Sequence, residues 1–573
     1  MNKVLYGALL LALAFSPFEA GYPPLGRFLW ATFTDLEGVL FLLAAAFMLT
    51  LATNPEARHR LLRLPLRWPV MALVGSSVIS TLFAEYSSLG VQFTYRLLMG
   101  VMVYAAAWEA LSTRRRFFGA LMTFVGAGAV SAVLGLLEFT PVVDIQPFLR
   151  AFKPHATQVG GILRLSGSFE YANGAAMYFE MALPVLISIV MLFSARPLIL
   201  ALFGSQLSER KRWAIVAGLC LVMVIYVMAL ILTLSRAALM GLLVALAVFA
   251  VGSLVRRRPA PTGMHADPAP VVSRRVIWRS LAITMSVMAL GGLLVFVTQP
   301  MFRLRLLTQN DLSWYRATIT AASLPSLSAS GIVTVPVTVR NDGEMVWPAS
   351  GLLPVHVSYH WMSQTENVYL VFEGLRTVLP HDVDPGETVT VLAIVQAPSE
   401  SGTYRLQWDL VHETVTWFER KQGLRSTVQS YTIGAAAVAA NTRPPPSAMP
   451  PPVDVQSISD TSSVERSELW RVAWAMFRAH PITGVGPDGF RNLYGEYAGV
   501  TQWNRNIYTN NTYIEMFTNL GLLGGLAFLW LAALALWQAG RALLTSQRGP
   551  MWLLGLGASA SLAAFFTHGV VDY

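Results

Sequence analysis

The chain has 573 residues, of which 54% are hydrophobic and only 13% are charged. A soluble domain carries about 25% charged residues, so this composition excludes a soluble enzyme, a disordered chain and a fibre, and it indicates a polytopic membrane protein. The net charge of +9 is typical of basic cytoplasmic loops rather than of nucleic-acid binding. The single cysteine, Cys220, excludes disulfides and cysteine metal clusters.

Apolar runs of spanning length recur along the chain. A membrane helix needs about 17–25 predominantly apolar residues. The first run resembles a signal peptide, but it lacks a clear small-residue cleavage site and further apolar runs follow it, so we interpret it as a span. We predict eleven spans, at residues 4–20, 35–53, 68–85, 90–111, 117–138, 173–195, 213–234, 237–255, 280–298, 512–538 and 550–570.

The basic residues of the loops predict the orientation of these spans. Alternate loops contain clusters such as the three arginines at 114–116 and at 256–258, whereas the intervening short loops contain few basic residues. Loops rich in Lys and Arg face the cytoplasm. We therefore predict that the N-terminus lies inside and that residues 299–511 lie outside the cytoplasm.

The extracytoplasmic region contains a segment with strand periodicity. Runs such as IVTVPVTV and TVTVLAIV alternate apolar and polar residues, and turn signals such as Asp384-Pro385-Gly386 separate them, which predicts a β-sandwich. The predicted fold class is thus an all-α polytopic membrane protein with an inserted extracytoplasmic β-sandwich. Its parts are residues 1–298 (membrane, spans 1–9), 299–325 (outer connector), 326–433 (β-sandwich), 434–463 (Pro- and Ala-rich linker), 464–511 (outer helical segment) and 512–573 (membrane, spans 10–11).

Arg236 is the most informative charged residue. It lies between the seventh and eighth spans, at the outer tip of a tight helical hairpin, where a basic residue does not help to set the topology. It either reaches lipid headgroups or binds the diphosphate of a lipid-linked substrate, for which the planar guanidinium is suited.

Other charged residues near the outer face have two interpretations each. Arg164 lies either in a simple loop turn, followed by Asn173 as an N-cap of the sixth span, or in a functional site. Arg466 begins a helical pattern whose charges fit a solvated face. His568, near the end of the eleventh span, fits a packed or pore-facing histidine better than a base.

Three segments in this order resemble the O-antigen ligase / O-antigen polymerase superfamily of bacterial envelope glycosyltransferases: LTLSRAALMGLLVAL, WRVAWAMFRAHPITGVGPDGFRNLYGEY and NNTYIEMFTNLGLLGGLAFL. An earlier segment, RLSGSFEYANGAAMYF, is similar to one that those proteins carry. The β-rich insert, with NDGEMVW and GTYRLQWDLVHE, looks like an immunoglobulin-like accessory domain.

The resemblance implies a multi-pass protein of the bacterial cytoplasmic (inner) membrane with a GT-C-like helical fold. It implies transfer of a glycan from undecaprenyl diphosphate, at the outer face, to lipid A core, to a growing polysaccharide or to protein. It also implies that no metal or other cofactor is needed, because arginines neutralise the diphosphate. Arg236 and, by the same match, Arg466 are the expected diphosphate ligands, with Arg164 as a further candidate.

The sequence departs from the family pattern at two places. Family ligases have a histidine where this chain has Asn510, or Tyr508 or Thr509 in a shifted register. Asparagine can orient an acceptor hydroxyl but cannot take its proton. Either another group such as Glu515 or Glu496 serves as the base, or the mechanism relies on stabilisation of the leaving group, or the protein is a non-ligase member of the family. The sequence also stops after the eleventh span, whereas the family usually has one more, which predicts an outer C-terminus or a truncated reading frame.

Two rival functions remain at this point. A transporter of lipid-linked glycans predicts inverted repeats and interrupted mid-membrane helices, and the sequence indicates neither. A non-catalytic membrane protein that displays the β-domain is the other rival, favoured by Asn510.

Overall fold

The computed structural model divides into a helical unit (Met1–Thr157, Arg164–Thr298 and Val464–Tyr573) and a β-rich unit (Gln158–Leu163 and Gln299–Ser463). The predicted linker beyond Gly434, and most of the predicted connector, lie outside the described residues. The structure describes residues 2–18, 26–28, 31–139, 145–153, 158–159, 162–204, 207–254, 274–298, 313–350, 354–364, 369–372, 374–413, 416–421, 424–426, 428–434, 466–498, 507–547 and 549–571.

Helices account for most of the larger unit. In chain order they are α1 (Asn2–Phe15), α2 (Asp35–Thr53), α3 (Pro55–Leu61), α4 (Arg67–Leu82), α5 (Ser87–Ala110), α6 (Arg114–Leu137), α7 (Gln146–Leu149), α8 (Ala172–Ser194), α9 (Arg196–Phe203), α10 (Glu209–Leu232), α11 (Arg236–Leu254), α12 (Arg274–Thr298), α13 (Arg466–Ala479), α14 (Phe490–Ala498), α15 (Thr512–Thr545) and α16 (Pro550–Val571).

Each of the apolar runs predicted to span the membrane overlaps one of these helices. Seven described helices, α2, α5, α6, α8, α10, α15 and α16, are long and apolar enough to cross a bilayer. Shorter apolar helical segments lie in α1, α11 and α12. The chain is therefore an integral membrane protein, and the count of eleven spans stays a prediction.

Helix α8 lies at the centre of the helical unit and is buried along almost its whole length. Small residues on α16 allow that helix to approach α8 closely. Ser561 donates from Oγ to the carbonyl of Met181 at 2.5 Å, and a Cβ at Gly557 would lie 2.2 Å from Oγ of Ser188. Such small-residue contacts are the usual basis of helix packing in membranes.

Helix α15 is interrupted at Gly521, which has φ 64 and ψ −161. The Gly- and Pro-rich turn before α14 occupies the break: the amides of Val485 and Leu522 donate to Thr518 (3.0 Å) and Pro481 (2.8 Å), respectively. Broken membrane helices need such partners for the freed backbone groups. The sequence does not predict this break, because no local pattern links the turn to a glycine about forty residues later.

The β-rich unit contains two mixed sheets, and short hairpins lie elsewhere in the chain. One sheet has the order β10-β8-β12-β15-β6, with β9 on β8 and β13 on β12, and the other has the order β11-β7-β5-β14. The strands are β1 (Gly26–Phe28), β2 (Ala31–Phe33), β3 (Gln158–Val159), β4 (Ile162–Leu163), β5 (Ala317–Ala321), β6 (Leu327–Ser328), β7 (Ile332–Asn341), β8 (Val355–Ser363), β9 (Tyr369–Val371), β10 (Thr377–Val378), β11 (Thr388–Gln396), β12 (Gly402–His412), β13 (Thr416–Trp417), β14 (Leu424–Ser426) and β15 (Val428–Gly434).

Aromatic side chains join the two sheets. Trp361 of β8 donates from Nε1 to the carbonyl of Gln396 on β11 at 2.8 Å, and the amide of Gln396 donates to the hydroxyl of Tyr359 at 2.8 Å. Strand β5 pairs with β7, so the sheet includes residues before position 326, where the predicted β-segment began. The sequence contains too few alternating residues around β5 to mark it as a strand.

Candidate functional site

Arg164 lies in a loop that is tied to two helices. It donates from Nε to the carbonyl of Thr233 at 2.7 Å and from Nη2 to Oδ1 of Asn173 at 2.5 Å. The amide of Leu165 donates to the carbonyl of Leu232 at 2.9 Å. The N-cap of α8 is Tyr171, so Asn173 lies inside the helix and binds Arg164; its predicted role as the N-cap was wrong.

A buried ion pair supports the same loop. Lys153 donates from Nζ to both carboxylate oxygens of Glu138 and to Oγ of Ser166, each at 2.8 Å. Burial lowers the pKa of Lys153, against the opposing effect of the Glu138 carboxylate. Gly167 has φ +56, and a Cβ there would lie 2.5 Å from the carbonyl oxygen of Ser131, so the loop needs glycine at this point.

Arg236 is the first residue of α11, and its side chain is exposed. The hairpin before it turns at Leu234, which has φ 54. Ser235 accepts a hydrogen bond on Oγ from the amide of Ala238 at 3.3 Å, as an N-cap does. Because Arg164 binds the carbonyl of Thr233, its guanidinium is attached to the turn that carries Arg236 three residues later.

Glu515 is buried and holds the turn that contains Asn510. One of its carboxylate oxygens accepts from the amide of Thr509 at 3.0 Å and the other from Nδ2 of Asn519 at 2.9 Å. Both oxygens are therefore used within the protein, which favours a positioning role for Glu515 over proton transfer. Glu496, near the end of α14, is exposed, whereas Glu515 is buried.

Asn510 has φ 52, in the left-handed region where asparagine is one of the few residues that occur often. The next residue, Asn511, is the N-cap of α15 and donates from Nδ2 to the carbonyl of Val570, near the end of α16, at 2.7 Å. This contact joins the Asn510 turn to the end of α16.

Arg466 begins α13 with an exposed side chain. Trp470, four residues later, donates from Nε1 to the carbonyl of Thr509 at 3.0 Å. Residues four apart lie on the same helix face. Arg466 is thus on the face of α13 that meets the Thr509–Asn510 turn.

A small cleft lies between the first turns of α8 and α15 and the last turns of α16. Its volume is about 70 Å³. Its lining includes the polar side chains of Asn173, Thr512 and His568, and apolar and small residues complete it: Gly174, Met177, Tyr513, Phe528, Phe565, Phe566 and Gly569. Asn173, which lines the cleft, also accepts the hydrogen bond from Arg164.

His568 is paired with Glu180, a buried residue of α8 that sequence reasoning did not select. Nδ1 of His568 lies 3.1 Å from Oε1 of Glu180. The signal that could have found it is a carboxylate inside an apolar run of spanning length, since ionisable residues within spans are rare.

The arrangement can bind an anion at a membrane surface. Arg164 binds the turn that carries Arg236, and Arg466 lies one helical turn before Trp470, which donates to the carbonyl of Thr509. Among the described residues, no group of three or more His, Cys, Asp or Glu side chains is placed to hold a metal ion.

The helical unit and its cluster of charged residues define an integral membrane protein with a polar site at the helix ends. Residues 385–529 match the family model described as O-Antigen ligase, and residues 333–422 match the Ig-like domain from next to BRCA1 gene. These matches confirm the resemblance to the O-antigen ligase family and the immunoglobulin-like character of the insert. A search of the curated proteins finds no match.

Proposed function

We propose that this protein is a membrane glycosyltransferase that moves a glycan from an undecaprenyl-diphosphate carrier to an acceptor hydroxyl at the outer face of the cytoplasmic membrane. The observation that carries the proposal is the O-Antigen ligase match over residues 385–529, which includes α13, α14 and the Asn510 turn. The hydrogen bond from Arg164 to the turn that carries the exposed Arg236 supports it.

The arginines bind the leaving group. As the glycosidic bond breaks, negative charge grows on the diphosphate, and preorganised cationic donors stabilise that charge. Arg236 is exposed at its turn and makes the main contact. Arg164 contributes while its Nε and Nη2 hold the turn, and Arg466 approaches from α13. No metal is required for this step, because guanidinium groups supply the positive charge.

Asn510 orients the acceptor. Its left-handed backbone is fixed by Glu515, which binds the amide of Thr509, and by Asn511, which caps α15. An amide side chain can donate to or accept from a hydroxyl and so place it for attack. Glu515 thereby positions Asn510 by holding the turn that contains it.

The test is the envelope polysaccharide of a deletion strain, complemented with the wild-type chain or with Arg236→Ala. We expect loss of one glycan–acceptor linkage that only the wild-type chain restores. Glycan missing from lipid A core identifies a ligase, shortened chains identify a polymerase, and unglycosylated protein identifies a protein transferase. An unchanged envelope in the deletion strain would refute the proposal.

A further inference from the structure

Two ionisable side chains meet inside the helical unit. Glu180 on α8 and His568 on α16 lie with Oε1 and Nδ1 3.1 Å apart, and their side chains are 0% and 4% exposed. Burying such a pair costs desolvation energy that their attraction seldom exceeds, so stability alone is a weak reason for it. Ionisable residues within spans more often serve function.

The surrounding helices are shaped around the Glu180 carboxylate. A Cβ at Gly241 of α11 would lie 2.6 Å from Oε2 of Glu180 and 3.1 Å from the carbonyl oxygen of Ala564. Any larger residue at 241 would displace the carboxylate. Three helices thus enclose Glu180 and direct it towards His568.

His568 also borders the cleft at the helix ends. It lines that cleft with Asn173 and Thr512, and Asn173 accepts the hydrogen bond from Arg164. The imidazole therefore lies beside a buried carboxylate and lines the same cleft as Asn173, the hydrogen-bond partner of Arg164.

We propose that His568 takes the proton from the acceptor hydroxyl, with Glu180 as the positioning residue that orients the ring. This rests on the proposed glycan transfer. The acceptor oxygen forms a bond to the anomeric carbon, the bond from that carbon to the diphosphate oxygen breaks, and undecaprenyl diphosphate leaves with the electron pair. The hydroxyl proton passes to Nε2 of His568, while Nδ1 lies 3.1 Å from Oε1 of Glu180.

This assignment accounts for the residue at position 510. Asparagine cannot accept a proton at neutral pH, and both oxygens of Glu515 are engaged with Thr509 and Asn519. Histidine beside a carboxylate is the commonest general base in proteins, and the carboxylate fixes its tautomer and stabilises its charged form. His568 supplies that chemistry from α16 instead of from the turn.

The experiment uses the full chain in proteoliposomes, with the host's glycan-loaded carrier lipid and an extract of its envelope as acceptor, and it measures release of undecaprenyl diphosphate. We expect His568→Gln and His568→Ala to lower transfer by about 100-fold or more, with binding of undecaprenyl diphosphate unchanged. Added imidazole should restore part of the activity of His568→Ala. His59→Ala, at an exposed histidine of α3, is the matched control and should keep wild-type transfer.

Glu180 variants separate orientation from packing. Glutamine matches the size of Glu180 and aspartate keeps its charge, so Glu180→Asp should retain more transfer than Glu180→Gln. The reverse order would show a packing role and overturn the positioning assignment. Near-wild-type transfer by His568→Gln would overturn the role of His568 as the base and would leave the proposed glycan transfer intact. Loss of both carrier binding and transfer in the two His568 variants would also overturn that role. No transfer by the wild-type protein would overturn the proposed function and this inference with it.

Discussion

The guanidinium of Arg164 donates from Nε to the carbonyl oxygen of Thr233 at 2.7 Å. Thr233 closes α10, and Arg236 begins α11 three residues later. The contact therefore joins the loop before α8 to the turn that carries Arg236. A change at position 164 is expected to affect both the fold of this turn and the charge near it.

Arg164→Ala should lower both stability and transfer. It removes two charged-donor hydrogen bonds, and such bonds contribute about 1.5–3 kcal/mol each. We expect a lower thermal midpoint in detergent and a loss of transfer smaller than that of Arg236→Ala, because Arg236 is the more exposed of the two. Arg150→Ala, at an exposed arginine of the segment before α8, should match the wild type in both measurements. A thermal midpoint for Arg164→Ala equal to that of the wild type would contradict a role of Arg164 in stabilising this turn.

Gly521→Ala should destabilise the helical unit. Gly521 has φ +64, and its Cβ would lie 2.3 Å from the carbonyl oxygen of Ile482, which belongs to the turn inserted in the α15 break. This combination of φ and ψ is essentially restricted to glycine and costs another residue about 1–3 kcal/mol, and the clash adds to it. Thermal unfolding followed by size-exclusion chromatography measures the effect.

Gly540→Ala is the control for that change, since Gly540 lies in the same helix and a Cβ there meets no atom within 4 Å. Alanine is favoured over glycine inside a helix by about 1 kcal/mol, so this variant should be as stable as the wild type or slightly more stable. Equal destabilisation by both variants would show that the break at Gly521 has no special role.

The sequence predicts the long apolar helices well, because each of these apolar runs is long enough to be recognised as a helix of spanning length. It also predicts the strands with strict alternation, such as β7 and β11. It does not predict which distant segments meet. Gly521 and the Pro481 turn, or Glu180 and His568, are joined by packing between elements, and nothing in the local pattern records those contacts.

Residues 313–434 should fold without the helical unit. The two sheets share a core of large aromatic residues, including the fully buried Trp347, Trp361 and Trp408. We expect the expressed segment to show the circular dichroism of a β-protein and a cooperative unfolding transition. A helical or unfolded spectrum would contradict this.

The same segment should lose stability in acid, partly through Glu413. Burial alone would raise the pKa of Glu413, but hydrogen bonding to His356 and the charge of Arg376 outweigh it and hold the pKa below the ordinary value of 4.5. Because the folded-state pKa is the lower one, Glu413 stabilises the fold above pH 4.5, and this contribution disappears as the pH falls through the folded-state value.

Glu413→Gln should therefore flatten the acid limb of the stability curve, measured by urea unfolding of residues 313–434 between pH 3 and pH 7. Glu400→Gln, at an exposed glutamate before β12, serves as the control and should leave the curve as in the wild type. An acid limb that is as steep in Glu413→Gln as in the wild type would exclude this pair as its source.

The measurement that tests the account most directly is glycan transfer from purified carrier lipid in proteoliposomes by Arg236 variants. Loss of one donor to developing charge typically costs about 100- to 1,000-fold in rate, and lysine lacks the planar fork. We predict that Arg236→Ala and Arg236→Lys both lose transfer to this extent, with and without chelator, while inserting normally. Arg210→Ala, at an exposed arginine near the opposite end of α10, should keep the wild-type rate of glycan transfer. Near-normal transfer by Arg236→Ala would show that Arg236 only contacts lipid headgroups, and it would contradict the account.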